Sequence, residues 1–403
     1  MIARGRAIVV VGLTIAGILS SCAGATAQDG SQCIPPNATS GYDLGLRRQD
    51  ETNVPRRKSM PGWWEPQLDV FQHNVQLLRS ATDVATRLGD EIWIAGYPID
   101  SDDSILLYSA VTRKIQGFAV LDSRGRPFMA DDLLVASDNS LWALLDATGS
   151  GSGYSALAKY VASKNHFDIV DDEDGLLRHA FDHVEIYPNP PQTLLAQEPD
   201  GRLVIGMNGE IYEYDPATNR AVRLLAHNSG FTVTSLAVSQ GGDIWFVARE
   251  DNSIRELDPA SGTISDFGPP PGSDPFDPND QLSWMAKPLE IDEEGRVWVA
   301  DFGWLGTESG EARYKWHAIS RSTIFLSIYD PEFLYKWERP SRVYQSSNGD
   351  IWFVAFLTTV QFSPDANTWC WSSTRSGPMA EDRDGNLWLV DRQIYRYEYE
   401  LYR

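Results

Sequence analysis

The sequence predicts an all-β fold: a propeller of seven four-stranded antiparallel blades, with an N-terminal strand closing the last blade. Three observations point to it. First, a turn rich in acids and glycine runs into an apolar pair seven times, at LGDEIW (ending at Trp93), SDNSLW (Trp142), PDGRLV (Val204), GGDIW (Trp245), EEGRVW (Trp298), SNGDIW (Trp352) and RDGNLW (Trp388). A unit recurring every ~40–55 residues is the pattern of a propeller or array. Second, the stretches between these turns are short β-branched and aromatic runs broken by Gly, Asp and Pro, which reads as a meander of strands. Third, the two ends complement each other. The last repeat stops at Gln393 to Tyr399, its third strand, and the orphan segment Leu68 to Leu78 has strand character but no repeat of its own. The economical expectation is that this segment supplies the missing outer strand, which joins the termini and keeps the ring from opening.

The fourth repeat shows the unit most clearly. Strands are expected at Thr232 to Val238, Ile244 to Ala248, Ser253 to Leu257 and Thr263 to Phe267, with turns at Gln240 to Asp243 and Asp258 to Gly262. The second strand lacks polar alternation because neighbouring blades cover both of its faces. Its Trp fills the space between them.

Ahead of the repeats the chain has a different character. Arg4 and Arg6 precede an apolar run, Ala7 to Ile18, that is too short to span a membrane comfortably. Leu19-Ser20-Ser21-Cys22 follows and resembles a bacterial lipobox, in which the cysteine is lipidated and becomes the new N-terminus. Cleavage after Ala25 or Ala27, as in an ordinary secretory peptide, is the alternative. The expected organisation is a lipoprotein signal peptide at 1–21, a flexible polar tether at 22–66 and the propeller at 67–403. The chain is thus expected to be exported and held at the cell membrane or envelope through acyl chains on Cys22.

Removing Arg4 and Arg6 takes the 34 basic residues to 32, against 56 acidic ones. That balance excludes nucleic acid as a partner, since phosphate binding needs a basic surface. Two cysteines remain after Cys22. Cys33 lies in the tether and Cys370 late in the sixth repeat, so a disulfide formed between them in an oxidising compartment would pin the tail to the ring. Two unpaired cysteines, with Cys370 of TWCW simply buried, are the alternative.

The fourth repeat, GGDIWFVAREDNSIRELDPASGTISDF, resembles repeats of the streptogramin lyase-like propellers. EDRDGNLWLVDRQIYRY at the C-terminus and DEDGLLRH (Asp172 to His179) resemble the sensor propellers of two-component regulators. The resemblance spans about residues 67–403 and implies the fold. The lyases use a histidine- and glutamate-centred, magnesium-dependent site at the axis. None of the six histidines here (His73, His166, His179, His183, His227, His317) matches that arrangement, so the lyase activity is not carried over.

The remaining candidates are local. His179 and His183 are four apart, a spacing that serves metals on a helical turn, but they sit in an acidic connector where solvation alone accounts for them. Acidic runs such as Asp100 to Asp103 and Glu381 to Gly385 lack the spacing of a calcium hand loop, so no cofactor is expected beyond an adventitious Ca²⁺ or Mg²⁺. Two longer stretches are aromatic: 268–288, with Phe276 and Trp284, and 303–325, read as an insertion carrying Trp304, Tyr314, Trp316, His317 and Phe325. These suit a small molecule, a glycan or a protein surface, or else they pack back as a lid. No Ser-His-Asp elbow, phosphate loop or CxxC is present. The leading expectation is a non-catalytic binding propeller. The alternatives are a metal-assisted lyase or hydrolase at the axial funnel and an envelope assembly scaffold.

Overall fold

The computed structural model describes residues 32–34, 62–69, 78–87, 90–98, 101–146, 155–177, 194–207, 210–226, 232–270, 289–300, 303–306, 315–318, 342–354, 358–364, 368–373, 377–390 and 393–399. The strands of these residues form seven antiparallel sheets, six of four strands and one of five. In five of the sheets the strands follow one another in chain order, as tight turns dictate, and in the other two an N-terminal strand is added at the outer edge. The first strands of the sheets stand side by side around an axis. Leu78–Arg87 lies beside Met129–Val135, followed by Leu195–Gln197, Val233–Val238, Leu289–Ile291 and Arg342–Gln345, and Met379–Glu381 returns to Leu78–Arg87. The molecule is a β-propeller with four-stranded antiparallel blades.

The core lies between sheets. Trp93 packs with Phe118, Phe128, Leu141 and Phe167 from the first two sheets, and Trp388 with Ile92 and Tyr108 where the last sheet meets the first. Trp352 packs on Leu387, Leu389 and Tyr397, and Trp298 meets Phe353 with ring centroids 6.3 Å apart. Trp93, Trp245, Trp298, Trp352 and Trp388 are all essentially inaccessible. Each such side chain contributes roughly 1.5–3 kcal/mol by burial, with ~0.5–1.5 kcal/mol more per well-oriented ring pair.

In the last three repeats the turn before the Trp is tied to its indole. The Asp382 carboxylate accepts the backbone N–H of Asp384 (3.0 Å) and Asn386 (2.9 Å), and also the Trp388 indole N–H (2.8 Å). Asp292 accepts Glu294 and Arg296 N–H and the Trp298 indole (2.6 Å), and the Ser346 hydroxyl accepts the Trp352 indole (3.1 Å). The turns need a residue with positive φ. Gly385 (φ 82°) supplies it in one and Asn139 (φ 63°) in another, because these residues tolerate the left-handed region. The third repeat has Val204 in place of Trp. There Glu198, at the position of Asp292 and Asp382, is buried, and its pKa is raised to about 7, first by desolvation and then by Glu213, with Arg202 acting against them.

Three expectations need correction. The outer strand of the last sheet is Gly62–Asp69, which pairs with Gln393–Tyr399. Only Leu68 and Asp69 of the expected segment belong to it, and Leu78 opens the first inner strand. Pro66 marks the edge character of this strand, and the register shifts between Pro66 and Leu68, as proline permits at an edge. In the fifth sheet Gly303–Gly306 and Lys315–Ala318 are the third and fourth strands, so Trp304, Trp316 and His317 belong to the blade rather than to an insertion. The glycine-bounded GWLG is too short to announce itself by pattern. Finally, Gln32–Ile34, inside the expected tether, adds a fifth strand to the sheet of Trp352. No helix among the described residues is long and apolar enough to cross a membrane.

Trp388→Phe keeps the wedge but removes the indole donor to buried Asp382. It is expected to lower unfolding free energy by about 1–3 kcal/mol, read from urea denaturation. A loss below about 0.5 kcal/mol would assign the tryptophan's role to volume alone.

Candidate functional site

Aligning the repeats on their Trp places one residue of each inner strand at the same level of the axis, ten positions earlier. Asp83 pairs with Ala95, Asp132 with Leu144, Ser235 with Val247 and Arg342 with Val354, and each partner lies two residues beyond its Trp. Leu194 holds the corresponding place in the third repeat, where its carbonyl accepts the Gly206 N–H. Among the described residues this level of the axis carries two acids and one base, with small or apolar residues at the other places.

These groups stitch neighbouring sheets together. One Asp83 oxygen accepts the Leu133 N–H of the second sheet at 2.9 Å. One Asp132 oxygen accepts the Leu194 and Leu195 N–H groups of the third, at 3.0 and 2.9 Å. Arg342, 8 % exposed, reaches across from the sixth sheet to donate from Nη2 to the Thr82 carbonyl of the first. Burial pulls its guanidinium pKa down, while the charges of Asp83 and Asp132 hold it up. A cation between two acids is the economical way to keep buried charges together.

Beside this layer lies a second, more open group. The register of the second inner strand shifts between Ala130 and Asp132, so Asp131 is an extra residue. Thr82 and Thr234 occupy the same place in their strands. Such bulges re-aim a side chain. Thr82 uses its hydroxyl to bond the Ala130 carbonyl at 2.8 Å. Asp131 instead meets the Tyr97 hydroxyl of the first sheet and the charge of Asp146 on the adjacent strand. All three residues are half-buried, as is Asp83. Desolvation, and then Asp146, raise the Asp131 pKa to about 8, with the Tyr97 hydrogen bond pulling back. Burial and the same two carboxylates push the Tyr97 phenol up. This corner holds two carboxyls, one of them favoured in its protonated form by burial and its neighbour's charge, and a phenol, groups that between them donate and accept hydrogen bonds.

The residues singled out from the sequence lie elsewhere. The backbone register sets Trp304 opposite His317, with Trp316 next to it. Phe276, Trp284, Tyr314, Phe325, His179 and His183 fall outside the described residues, as does Cys22. Cys33 and Cys370 lie in paired strands. Among the described residues no three His, Cys, Asp or Glu gather as a metal site. His166 bonds Asp168 at 2.5 Å on an outer strand, far along the blade from the inner one. Sequence reading missed Tyr97, Asp131, Asp146 and Arg342. A signal did exist, since Asp83, Asp132 and Arg342 recur at one offset from the repeat Trp.

No known family profile matches the sequence, and no curated protein matches it. Among solved structures the chain is similar to virginiamycin B lyase from Staphylococcus aureus, at 14 % identity and TM-score 0.54, over 83 % of this chain and 98 % of that one. It is also similar to the extracellular domain of a protein described as a hybrid two-component system from B. thetaiotaomicron. That match has 11 % identity and TM-score 0.55, over 84 % of this chain and 42 % of that one. A third is YCF48 bound to D1 peptide, at 9 % identity and TM-score 0.52, over 85 % and 97 % of the two chains. At these identities the likeness is one of fold.

The raised Asp131 pKa has a defined consequence. The folded state holds this proton between about pH 4 and 8 while the unfolded chain has lost it, so stability contributed here falls as pH rises through that window. Asp131→Asn is expected to flatten that part of the profile. Urea midpoints at pH 5 and pH 9 should differ less in the variant than in the wild type, and an equal difference would refute the assignment.

Proposed function

We propose that this chain is an exported, lipid-anchored propeller that binds a polar ligand or a protein partner at the end of its axis, without catalysis. The observation that carries this reading is a division of labour among the acids. The Asp83 and Asp132 carboxylates are engaged by backbone amides of neighbouring sheets, whereas Asp131 meets the Tyr97 hydroxyl and stands beside the Asp146 carboxyl. A rigid layer carrying a few convergent polar groups is how a binding site is pre-organised. A donor carboxyl and a phenol side by side suit a ligand rich in hydroxyl or amide groups, such as a glycan or peptide.

In this reading the seven sheets are seven blades, and Gly62–Asp69 closes the ring through the last. Cys22 is the lipidated residue and residues 1–21 are removed. Phe276, Trp284, Trp304, Tyr314, Trp316 and His317 form a second, aromatic surface for a larger partner. The extracellular placement of the sensor domain and the peptide held by YCF48 are properties of those proteins, and both accord with an exported binding propeller.

A second reading rests on the pair Asp131 and Asp146. A carboxyl pushed toward its protonated form beside a second carboxyl is the usual equipment of an acid–base hydrolase or lyase, with Asp131 as proton donor. A divalent cation, Mg²⁺ or Ca²⁺, belongs to that reading. An assembly scaffold is the third.

Thermal shift of the mature chain against simple sugars, short peptides, Mg²⁺ and Ca²⁺ separates these readings. A saturating ligand is expected to raise Tm by several degrees, since occupancy at about 100 Kd adds ~2.7 kcal/mol, and Tyr97→Phe should weaken the response. Chemical conversion of a responding ligand, lost in Asp131→Asn with binding retained, would replace binding by catalysis. Protein capture with no small-molecule response would favour the scaffold.

A further inference from the structure

We propose that Cys33 and Cys370 form a disulfide that clasps the N-terminal segment onto the outer edge of the sixth sheet and shortens the tether between membrane and propeller. Gln32–Ile34 runs antiparallel to Thr368–Ser373, with Gln32 opposite Trp371, Cys33 opposite Cys370 and Ile34 opposite Trp369. Residues directly opposite in an antiparallel pair have Cα atoms ~5.5 Å apart when they exchange hydrogen bonds and ~4.5 Å apart when they do not. Disulfides span Cα separations of about 4.4–6.8 Å, so either kind of pair brings the two cysteines within bonding reach.

The added strand also needs such a bond. Three residues of pairing at the far side of residues 35–61 set few hydrogen bonds against the entropy of ordering the segment. A covalent link in register removes most of that opposition. It also secures a cover over the edge of Thr368–Ser373, whose other side is taken by Thr358–Ser363. The chain has three cysteines in all, and with Cys22 lipidated only this pair is left. Formation is an exchange with an oxidised dithiol protein of the envelope. The two thiols give up two protons and two electrons, one S–S bond forms between Cys33 and Cys370, and the S–S bond of the oxidant is reduced to two thiols.

The clasp changes the geometry of attachment. Between a lipid on Cys22 and Cys33 run ten residues, which reach at most ~35 Å when extended, whereas thirty-nine residues, about 140 Å, separate Cys22 from Gly62. The disulfide would therefore hold the sixth sheet close to the membrane and orient the ring. This last step rests on the lipid-anchor reading above. The disulfide does not.

Non-reducing peptide mapping by mass spectrometry of the full chain tests it, in the wild type and in Cys22→Ala. A Cys33–Cys370 linked peptide is expected in both, with no alkylatable thiol left in Cys22→Ala. Two free thiols in Cys22→Ala would overturn the proposal. As a second measure, Cys33→Ser should lower Tm in the absence of reductant and leave it unchanged once both proteins are reduced. Equal Tm values before reduction would also count against it. If the linked peptide is present but the wild type carries no lipid, the anchor reading fails and the clasp stands.

Discussion

The indole of the repeated tryptophan, wedged between neighbouring sheets and, in Trp298, Trp352 and Trp388, tied by its N–H to a turn residue six positions earlier, is the contact on which this fold depends. It does two jobs at once. The ring fills the gap between sheets, as Trp298 does against Phe353, and the N–H fixes the turn that sets the register of the first two strands, as in Asp382 and Trp388. A turn held in this way delivers the inner strand to the axis at the same height in each sheet, so residues at one sequence offset meet there. The third repeat shows what happens without the indole. With Val204 in its place, Glu198 remains buried and its carboxyl titrates near neutrality.

Because the turns set the height, the axial layer is built from residues far apart in sequence. Arg342 and Thr82 are 260 positions apart and share a hydrogen bond across the ring. Asp83 and Asp132 spend oxygens on the backbone of the next sheet, which makes them part of the frame. One residue away, the bulge frees Asp131 from the strand pairing and turns it toward Tyr97. The same bulge carries threonine in the first and fourth inner strands, where Thr82 and Thr234 bond neighbouring carbonyls. A carboxyl at Asp131, where Thr82 and Thr234 carry hydroxyls, gives the axis a distinct corner instead of repeated sameness.

Much of the architecture was legible in the chain. The turn-and-Trp repeats announced propeller blades, and the strands of the fourth repeat fall within a residue or so of the observed Val233–Val238, Ile244–Ala248, Ile254–Asp258 and Thr263–Asp266. The fifth repeat was misread because a four-residue strand bounded by glycines carries too little periodicity to stand out. The closing strand was displaced toward Leu78 because hydrophobic pattern favoured the apolar run over Gly62–Asp69, where Pro66 argues locally against a strand that an edge position allows.

Local chemistry thus sufficed for the repeat unit, since turn residues, β-branched runs and a space-filling Trp act over a few positions each. The axial groups, Arg342 with Asp83 and Asp132 and the corner of Tyr97, Asp131 and Asp146, came only from the packed sheets. They stand on three different sheets and meet because sheet packing brings the inner strands around one axis, a constraint that no short stretch of sequence contains. The same is true of Cys33 and Cys370, whose residue types were visible from the start. Their opposition in adjacent strands follows from a register that only strand pairing across the fold imposes.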